Sequence, residues 1–334
     1  MASQHLTAAE IDVYLQRIAW GHSDGLKPSL EVLARLMRLH QLAIPFENAS
    51  MHVSALKAPI SIELSAVFAK LVASGRRGGW CYEQNGLFSA VLRTLGFDVV
   101  DGAARVASPD PTSPGRLRLG PHYHQVLFVS LDGRRWLVDV GFGARDQLPL
   151  PMLLPAGAER HLPPDGDAAC PYADERWAGL IPGDAAATLA LQRRFSVRPG
   201  LPSAPGQAAD PASIDNWQLR GGYFLRKAPR GAGEPRDILW FRLDEHLQQD
   251  YELANQCVQH VWAQMLHPVF TGNLVVARQL PCGGRITLLN DLLRWYSGGA
   301  ADEDSTPRKE RRLAGPDEVA AALAEHFGIS AGSN

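Results

Sequence analysis

Arg76-Arg77-Gly78-Gly79-Trp80-Cys81-Tyr82-Glu83-Gln84-Asn85-Gly86 sets one cysteine directly after two glycines and directly before a helical apolar pattern. That pattern runs Leu87, Phe88, Val91, Leu92, Leu95 and stops at Gly96, a residue suited to the position just past a helix end. Cys81 is therefore expected in the first turn of a helix, where unpaired backbone N–H groups and the positive dipole end favour a thiolate. Gly78 and Gly79 let the backbone turn sharply and leave room for a substrate to approach. The competing reading is a buried structural cysteine behind a glycine turn.

Upstream of this stretch, residues 1–97 read as helical. Thr7-Ala8-Ala9-Glu10 is a capping box followed by Ile11, Tyr14, Leu15 and Ile18 on one face. Pro28 and Ser29 open a second helix striped by Leu30, Leu33, Leu36 and Met37. Ser61 is expected to cap a third, carrying Leu64, Val67, Phe68 and Leu71. Between them lies Ile44-Pro45-Phe46-Glu47-Asn48, a rigid turn with one carboxylate. Arg77 is the candidate partner for Glu47, in a bidentate pair that would pin the cysteine loop to the bundle; the alternative is two solvated charges.

Downstream, from 98 to 215, the pattern changes to short β-rich runs. Val99-Val100 and Ala103 to Val106 suggest strand, and Ser108 to Pro121 reads as a loop. His124 to Leu131, then Asp132-Gly133, then Arg134 to Val140 is the clearest hairpin. Residues 155–212 are rich in Pro, Ala and Gly and read mostly as surface connections, with Arg193 to Val197 a strand candidate. From 216 to 334 the reading is mixed. Gly222 to Leu225 and Ile238 to Phe241 form a strand pair, Asp250 to Trp262 a helix, and Gly272 to Gln279 and Arg285 to Leu289 strands. Gly298 to Arg312 reads as a charged loop, and a last helix starts at Gly315-Pro316 with Val319, Leu323 and Phe327 as its apolar face.

With 334 residues and 46% hydrophobic content, the chain can bury a large core in two or three domains. A net charge of −2 gives no electrostatic case for nucleic acid or an anionic membrane surface. No apolar run approaches the roughly 20 residues a membrane span needs. Met1 to Leu6 has neither a basic nor an apolar signal region, so no secretory leader is expected. Cys81, Cys170, Cys257 and Cys282 lie far apart without a C-x-x-C pair. That spacing speaks against a zinc site or disulfide framework, and a reducing cytoplasm is the expected compartment.

The hairpin supplies the second piece of chemistry. With Asp132-Gly133 as its loop, Leu131 pairs with Arg134, and His124 and Asp139 become diagonal neighbours on one face. Asp139 is a lone carboxylate in the apolar run Trp136-Leu137-Val138-Asp139-Val140, costly to bury unless paired, and a histidine partner accounts for it. A helix-start cysteine plus a histidine oriented by a carboxylate makes a nucleophile, a base and an orienter. His122 competes with His124 for the base. His122-Tyr123-His124 lacks a third ligand at metal-binding spacing, so no metal is expected.

Arg77-Gly78-Gly79-Trp80-Cys81-x-Glu83-x-Asn85 resembles the active-site signature of the arylamine N-acetyltransferase family. The resemblance extends upstream to Ile44-Pro45-Phe46-Glu47-Asn48 and downstream to His124 and Val138-Asp139-Val140-Gly141-Phe142-Gly143. It implies an α+β fold: an N-terminal helical bundle (1–97) carrying the nucleophile, a central antiparallel β-barrel (98–215) carrying His124 and Asp139, and a C-terminal α/β lid (216–334), with a cysteine-protease-like catalytic core. It further implies a Cys81–His124–Asp139 triad and Gly120, Pro121 and Tyr123 lining the acyl and coenzyme A cleft. Phe142 would cover the acceptor arene, Gly143 would join that same site, and Glu47 and Arg77 would form a structural ion pair. The implied reaction moves an acetyl group from acetyl-coenzyme A, through a Cys81 thioester, to an arylamine or hydrazine. A cysteine hydrolase or transglutaminase-like enzyme would use the same three residues. The chain departs from the family at Asn255 to Trp262, where a rim tyrosine and a Ser/Thr-Pro pair are missing. The acyl chain, the physiological amine and the oligomeric state stay open.

Overall fold

The helical start follows from its caps. Thr7 accepts from Glu10 N while Glu10 accepts from Thr7 N at 2.8 Å, closing the capping box of α1 (Ala8–Arg17). Ser29 Oγ likewise caps α2 (Leu30–Ala43) by accepting from Val32 N at 3.2 Å. The structure is a computed structural model and describes residues 5–21, 26–109, 117–155, 171–172, 176–199, 222–229, 234–261, 271–298 and 306–330. After α2 come β1 (Phe46–Glu47), α3 (Ala49–His52) and α4 (Leu64–Phe68), which continues as a π-helical turn over Ala69–Ala73. The cap of α4 is Glu63, whose carboxylate accepts from Ser65 N at 3.1 Å. This corrects the expected Ser61, which instead accepts from Glu63 N. Helix α5 (Cys81–Thr94) then buries Leu87, Phe88, Val91 and Leu92.

The β elements are β2 (Asp98–Pro109), β3 (Leu117–Leu119), β4 (His124–Leu131), β5 (Arg134–Val138), β6 (Met152–Leu153), β7 (Phe195–Pro199), β8 (Tyr223–Lys227) and β9 (Arg236–Phe241). They form one antiparallel sheet in the order β6-β5-β4-β2-β9-β8-β7, with β3 paired to β2. The edge strands β6 and β7 approach each other, so the sheet nearly closes into a barrel. The hairpin register is the expected one, Leu131 opposite Arg134 through Leu127 opposite Val138, with Asp132 and Gly133 both at positive φ. One core cluster runs from Leu33, Leu36 and Phe88 on the helices to Leu127, Trp136 and Phe241 in the sheet.

Several sequence expectations need correcting here. The stretch Ser108 to Pro121, expected as loop, contains β3. The described part of 155–212 holds, besides β7, two helices, α6 (Trp177–Leu180) and α7 (Ala185–Gln192), because Trp177 is fully buried and anchors them to the main core. Strands β8 and β9, read as part of the segment 216–334, hydrogen-bond into the barrel sheet: β2 runs on past Ala104 and offers β9 a second edge. The charged stretch ending at Arg312 contributes β13 (Lys309–Arg312), and β12 (Leu292–Tyr296) was not anticipated.

The remaining chain forms α8 (Gln248–Gln256), a π-helical turn Cys257–Val261, β10 (Val275–Gln279), β11 (Arg285–Leu289), then β12, β13 and α9 (Pro316–Ala322). Strands β10 to β13 make a second sheet whose other edge is β1, with Phe46 opposite Ala277. Val276, Ile286 and Leu288 of that sheet pack with Leu323 and Phe327 after α9. Trp262 and Cys170 lie outside the described residues. Among the described residues no helix is long and apolar enough to cross a membrane.

Candidate active site

Cys81 is the first residue of α5, preceded by Trp80 in extended backbone. The turn that delivers it is fixed by close approach. A Cβ on Gly78 would lie 1.9 Å from Pro45 O, and one on Gly79 would lie 2.7 Å from Glu83 Oε2. Gly79 N donates to Pro45 O at 3.2 Å and Glu47 N to Gly79 O at 3.1 Å, so β1 clamps the cysteine loop. The Glu83 carboxylate accepts from Trp80 N at 3.1 Å, capping the helix start. Gln84 Nε2 donates to Pro45 O at 2.8 Å, and its Oε1 accepts from His40 Nε2 at 2.7 Å. Burial holds that histidine's pKa down at about 4, so its Nδ1 is free to accept from Tyr14 OH.

The Cys81 thiol points to Tyr123 O at 3.8 Å and hydrogen-bonds the His124 imidazole. His124 Nε2 donates to Asp139 Oδ2 at 2.6 Å, which leaves Nδ1 for the thiol. Asp139 is 1% exposed. Its other oxygen accepts from Asn85 Nδ2 at 3.0 Å and Gly141 N at 2.9 Å. Burial alone would drive the His124 pKa down. The Asp139 charge and hydrogen bond, with a smaller contribution from Cys81, oppose it and carry the imidazole up to about 10. The sequence-predicted Cys81, His124 and Asp139 therefore meet, and thiol, imidazole and carboxylate stand in the order that nucleophilic catalysis requires.

His122, the competing base, turns away. It stacks on His246 at 5.8 Å and meets Trp240 edge-on at 6.1 Å, and burial lowers its pKa to about 4. The hairpin ladder ends at Val138, so the next residues leave the sheet and fold over Cys81. Gly141 lies against the nucleophile, where a Cβ would stand 2.8 Å from Cys81 Cα. The Phe142 ring meets His124 edge-on at 5.1 Å. Gly143, at φ 70°, abuts Phe46. Gly120 and Pro121 precede Tyr123, half-buried, with Tyr123 N donating to Pro121 O at 2.8 Å. Tyr123 packs beside Cys81 in a cluster with Trp80, Tyr82, Tyr251 and Val258. Among the described residues, no three His, Cys, Asp or Glu converge as a metal site would require.

Glu47 and Arg77 do pair: Arg77 Nε and Nη2 both reach Glu47 Oε1, at 2.9 and 2.7 Å, and Glu47 Oε2 accepts from Ala49 N. Sequence reasoning missed Lys70, which lies 2.7 Å from Glu83 and 3.7 Å from Glu47 and completes a two-cation, two-carboxylate network behind the cysteine. Glu83, the one acid of the cysteine helix, was the available signal, since a buried carboxylate needs a cation. Asn85 was also missed as a support: one turn after Cys81, it ties Asp139 to Gln125 O and Val140 N. Glu47→Gln is expected to lower stability by about 3 kcal/mol in urea denaturation, because Glu47 is fully buried and Arg77 loses its counter-charge while Lys70 keeps only Glu83. A loss below about 1 kcal/mol would show that the pair is energetically neutral.

Comparison with known proteins converges on one family. A family model described as N-acetyltransferase matches residues 29–168. The arylamine N-acetyltransferase of Escherichia coli (strain K12) is 29% identical over 316 residues, 95% of this chain and 87% of the relative. The solved arylamine N-acetyltransferase from Mycobacterium abscessus is 30% identical and superposes with a TM-score of 0.65 over 97% of this chain and 90% of its own. The Mycobacterium marinum enzyme, solved in complex with CoA, shares the fold at 24% identity and a TM-score of 0.64, covering 96% of this chain and 92% of its own. From its motifs, its fold and these relatives, the chain belongs to the arylamine N-acetyltransferase family.

Proposed function

We propose that the protein transfers an acetyl group from acetyl-coenzyme A to an arylamine or hydrazine by a ping-pong mechanism through Cys81. The observation that carries this reading is the thiol–imidazole–carboxylate line at the start of α5, with His124 held cationic through neutral pH by Asp139. An imidazolium beside the sulfur stabilises its thiolate. The thiolate attacks the thioester carbonyl, the C–S bond to coenzyme A breaks, and a proton from His124 accompanies the departing thiol. The Cys81 backbone N–H, at the first helical position, has no acceptor within the helix and is placed to receive the oxyanion. The acyl-cysteine is a thioester close in energy to the one consumed. It passes its acetyl group to the amine, whose proton returns to His124. Asp139 fixes the imidazole tautomer and orientation. Tyr123, Pro121 and Gly120 on one side and Phe142 and Gly143 on the other are the proposed walls for donor and acceptor.

Incubation with acetyl-coenzyme A in the absence of amine, followed by intact-mass measurement and peptide mapping, tests the reading. The expected result is one stable acetyl group on Cys81 that an added arylamine removes as its amide. Release of coenzyme A without a retained acetyl group would favour a hydrolase and overturn the transferase reading.

Thiol labelling gives an independent check. Cys282 is exposed while Cys81 and Cys257 are half-buried, so accessibility alone favours Cys282. Activation beside an imidazolium reverses that order. Iodoacetamide is expected to modify Cys81 at least tenfold faster than Cys257 or Cys282 at pH 6.5. Fastest labelling at Cys282 would contradict the proposed activation.

A further inference from the structure

A cavity of about 420 Å³ opens on a different flank of α5 from the one that carries Cys81, and it contains none of Cys81, His124 or Asp139. Its volume is in the range of small-molecule sites. The floor is apolar, made by Leu64 and Val67 of α4 with Leu87 and Ala90 of α5. In the same wall the Ser89 hydroxyl, on a residue 2% exposed, has no hydrogen-bond partner among the described residues. A buried hydroxyl of that kind costs free energy unless something in the cavity bonds to it. Gln125 also lines the wall, with Asp101 and Arg93, which pair with each other at 2.7 Å and cancel. The mouth adds the exposed Glu245 and Glu252, whose carboxylates have no cation partner among the described residues. Leu247 forms an apolar lip, 60% exposed.

We infer that this cavity is a second, non-catalytic binding site for a small amphipathic cation, an ammonium group on a compact apolar body. The apolar body would cover Leu64, Val67, Leu87 and Ala90. The ammonium would sit at the mouth between Glu245 and Glu252, and a polar atom of the ligand would reach Ser89 Oγ. A neutral ligand would forgo the attraction of the two solvent-exposed carboxylates, which an ammonium gains. An anion would meet like charge. Arylamine acceptors are uncharged at neutral pH, so the site selects a different class of amine from the one proposed for transfer. Its existence does not depend on the transferase reading.

Phenethylammonium chloride is the probe, measured by calorimetry on the full chain with neutral 2-phenylethanol as control. One saturable site is expected. Its affinity should be unchanged after Cys81 is carbamidomethylated and should fall about tenfold in Glu245→Gln/Glu252→Gln, where two solvent-exposed charges are lost. Ser89→Ala should bind several-fold more weakly without losing thermal stability, since the hydroxyl bonds nothing among the described residues. Loss of binding on Cys81 alkylation would place the probe in the catalytic cleft and overturn the inference. So would equal affinity for 2-phenylethanol, an unchanged double variant, a destabilised Ser89→Ala, or no saturation at millimolar probe.

Discussion

Serine in place of Cys81 is expected to reduce acetyl transfer by about 10⁴-fold or more while the fold is kept. The thiol lies 3.8 Å from the Tyr123 carbonyl and beside the His124 ring, a long contact whose loss to a hydroxyl of similar size costs the fold little. The substitution therefore removes little packing and no buried charge, and its melting temperature should stay within a few degrees of wild type. What it removes is the sulfur nucleophile, since a serine hydroxyl beside an imidazolium has no base to deprotonate it. Rates with acetyl-coenzyme A and with p-nitrophenyl acetate, read beside thermal melts, decide the matter. Turnover within tenfold of wild type for either donor would sink the thioester mechanism.

Asp139→Asn is expected to lose about 10³- to 10⁴-fold in rate and, unlike Cys81→Ser, to lose stability as well. All the bonds to the Asp139 carboxylate come from donors: His124 Nε2 at one oxygen, Asn85 Nδ2 and Gly141 N at the other. An asparagine must turn its own NH₂ toward one of these sets. Either the imidazole takes the wrong tautomer or two buried N–H groups lose their acceptor, each unsatisfied group costing about 1–3 kcal/mol. The pH dependence separates this from a plain packing defect. His124 ionises at about 6.5 unfolded and at about 10 folded, so the folded state binds the extra proton between those values. The stability from that proton is fully present below about pH 6.5 and is lost as pH rises toward 10. The gap in urea midpoint between wild type and variant should therefore narrow steadily from pH 6 to pH 10. A gap independent of pH would mean that Asp139 does not hold an imidazolium.

How far these features could be read from residues alone depended on the range of the interaction that makes them. The His124–Asp139 relation was legible because Asp132-Gly133 is a two-residue turn, and such a turn fixes the register of everything it joins. Cys81 was legible as a helix start because the apolar spacing after it is local. The barrel membership of β8 and β9 was hidden, since it depends on β2 extending twelve residues and pairing with different partners along its length. Helices α6 and α7 were obscured by a Pro-, Ala- and Gly-rich composition whose one strong anchor is Trp177. Lys70 gave no signal through spacing because its two carboxylates come from separate elements.

The clamp on the cysteine loop also fixes when in the life of the chain it is completed. β1 holds Gly79 through backbone hydrogen bonds, and β1 is itself held by β10: Val275 N donates to the Asn48 side chain across 227 residues of sequence. Such a contact closes a very long loop and forms late, after the local helices and the β4–β5 hairpin. During synthesis the segment around Cys81 leaves the ribosome well before residues 275–277 exist, so its thiol spends that interval without the strand that aligns it. Nascent chains stalled before β10 should therefore carry Cys81 as an ordinary thiol, and the selective reactivity should appear in one step once the second sheet has emerged and closed on β1.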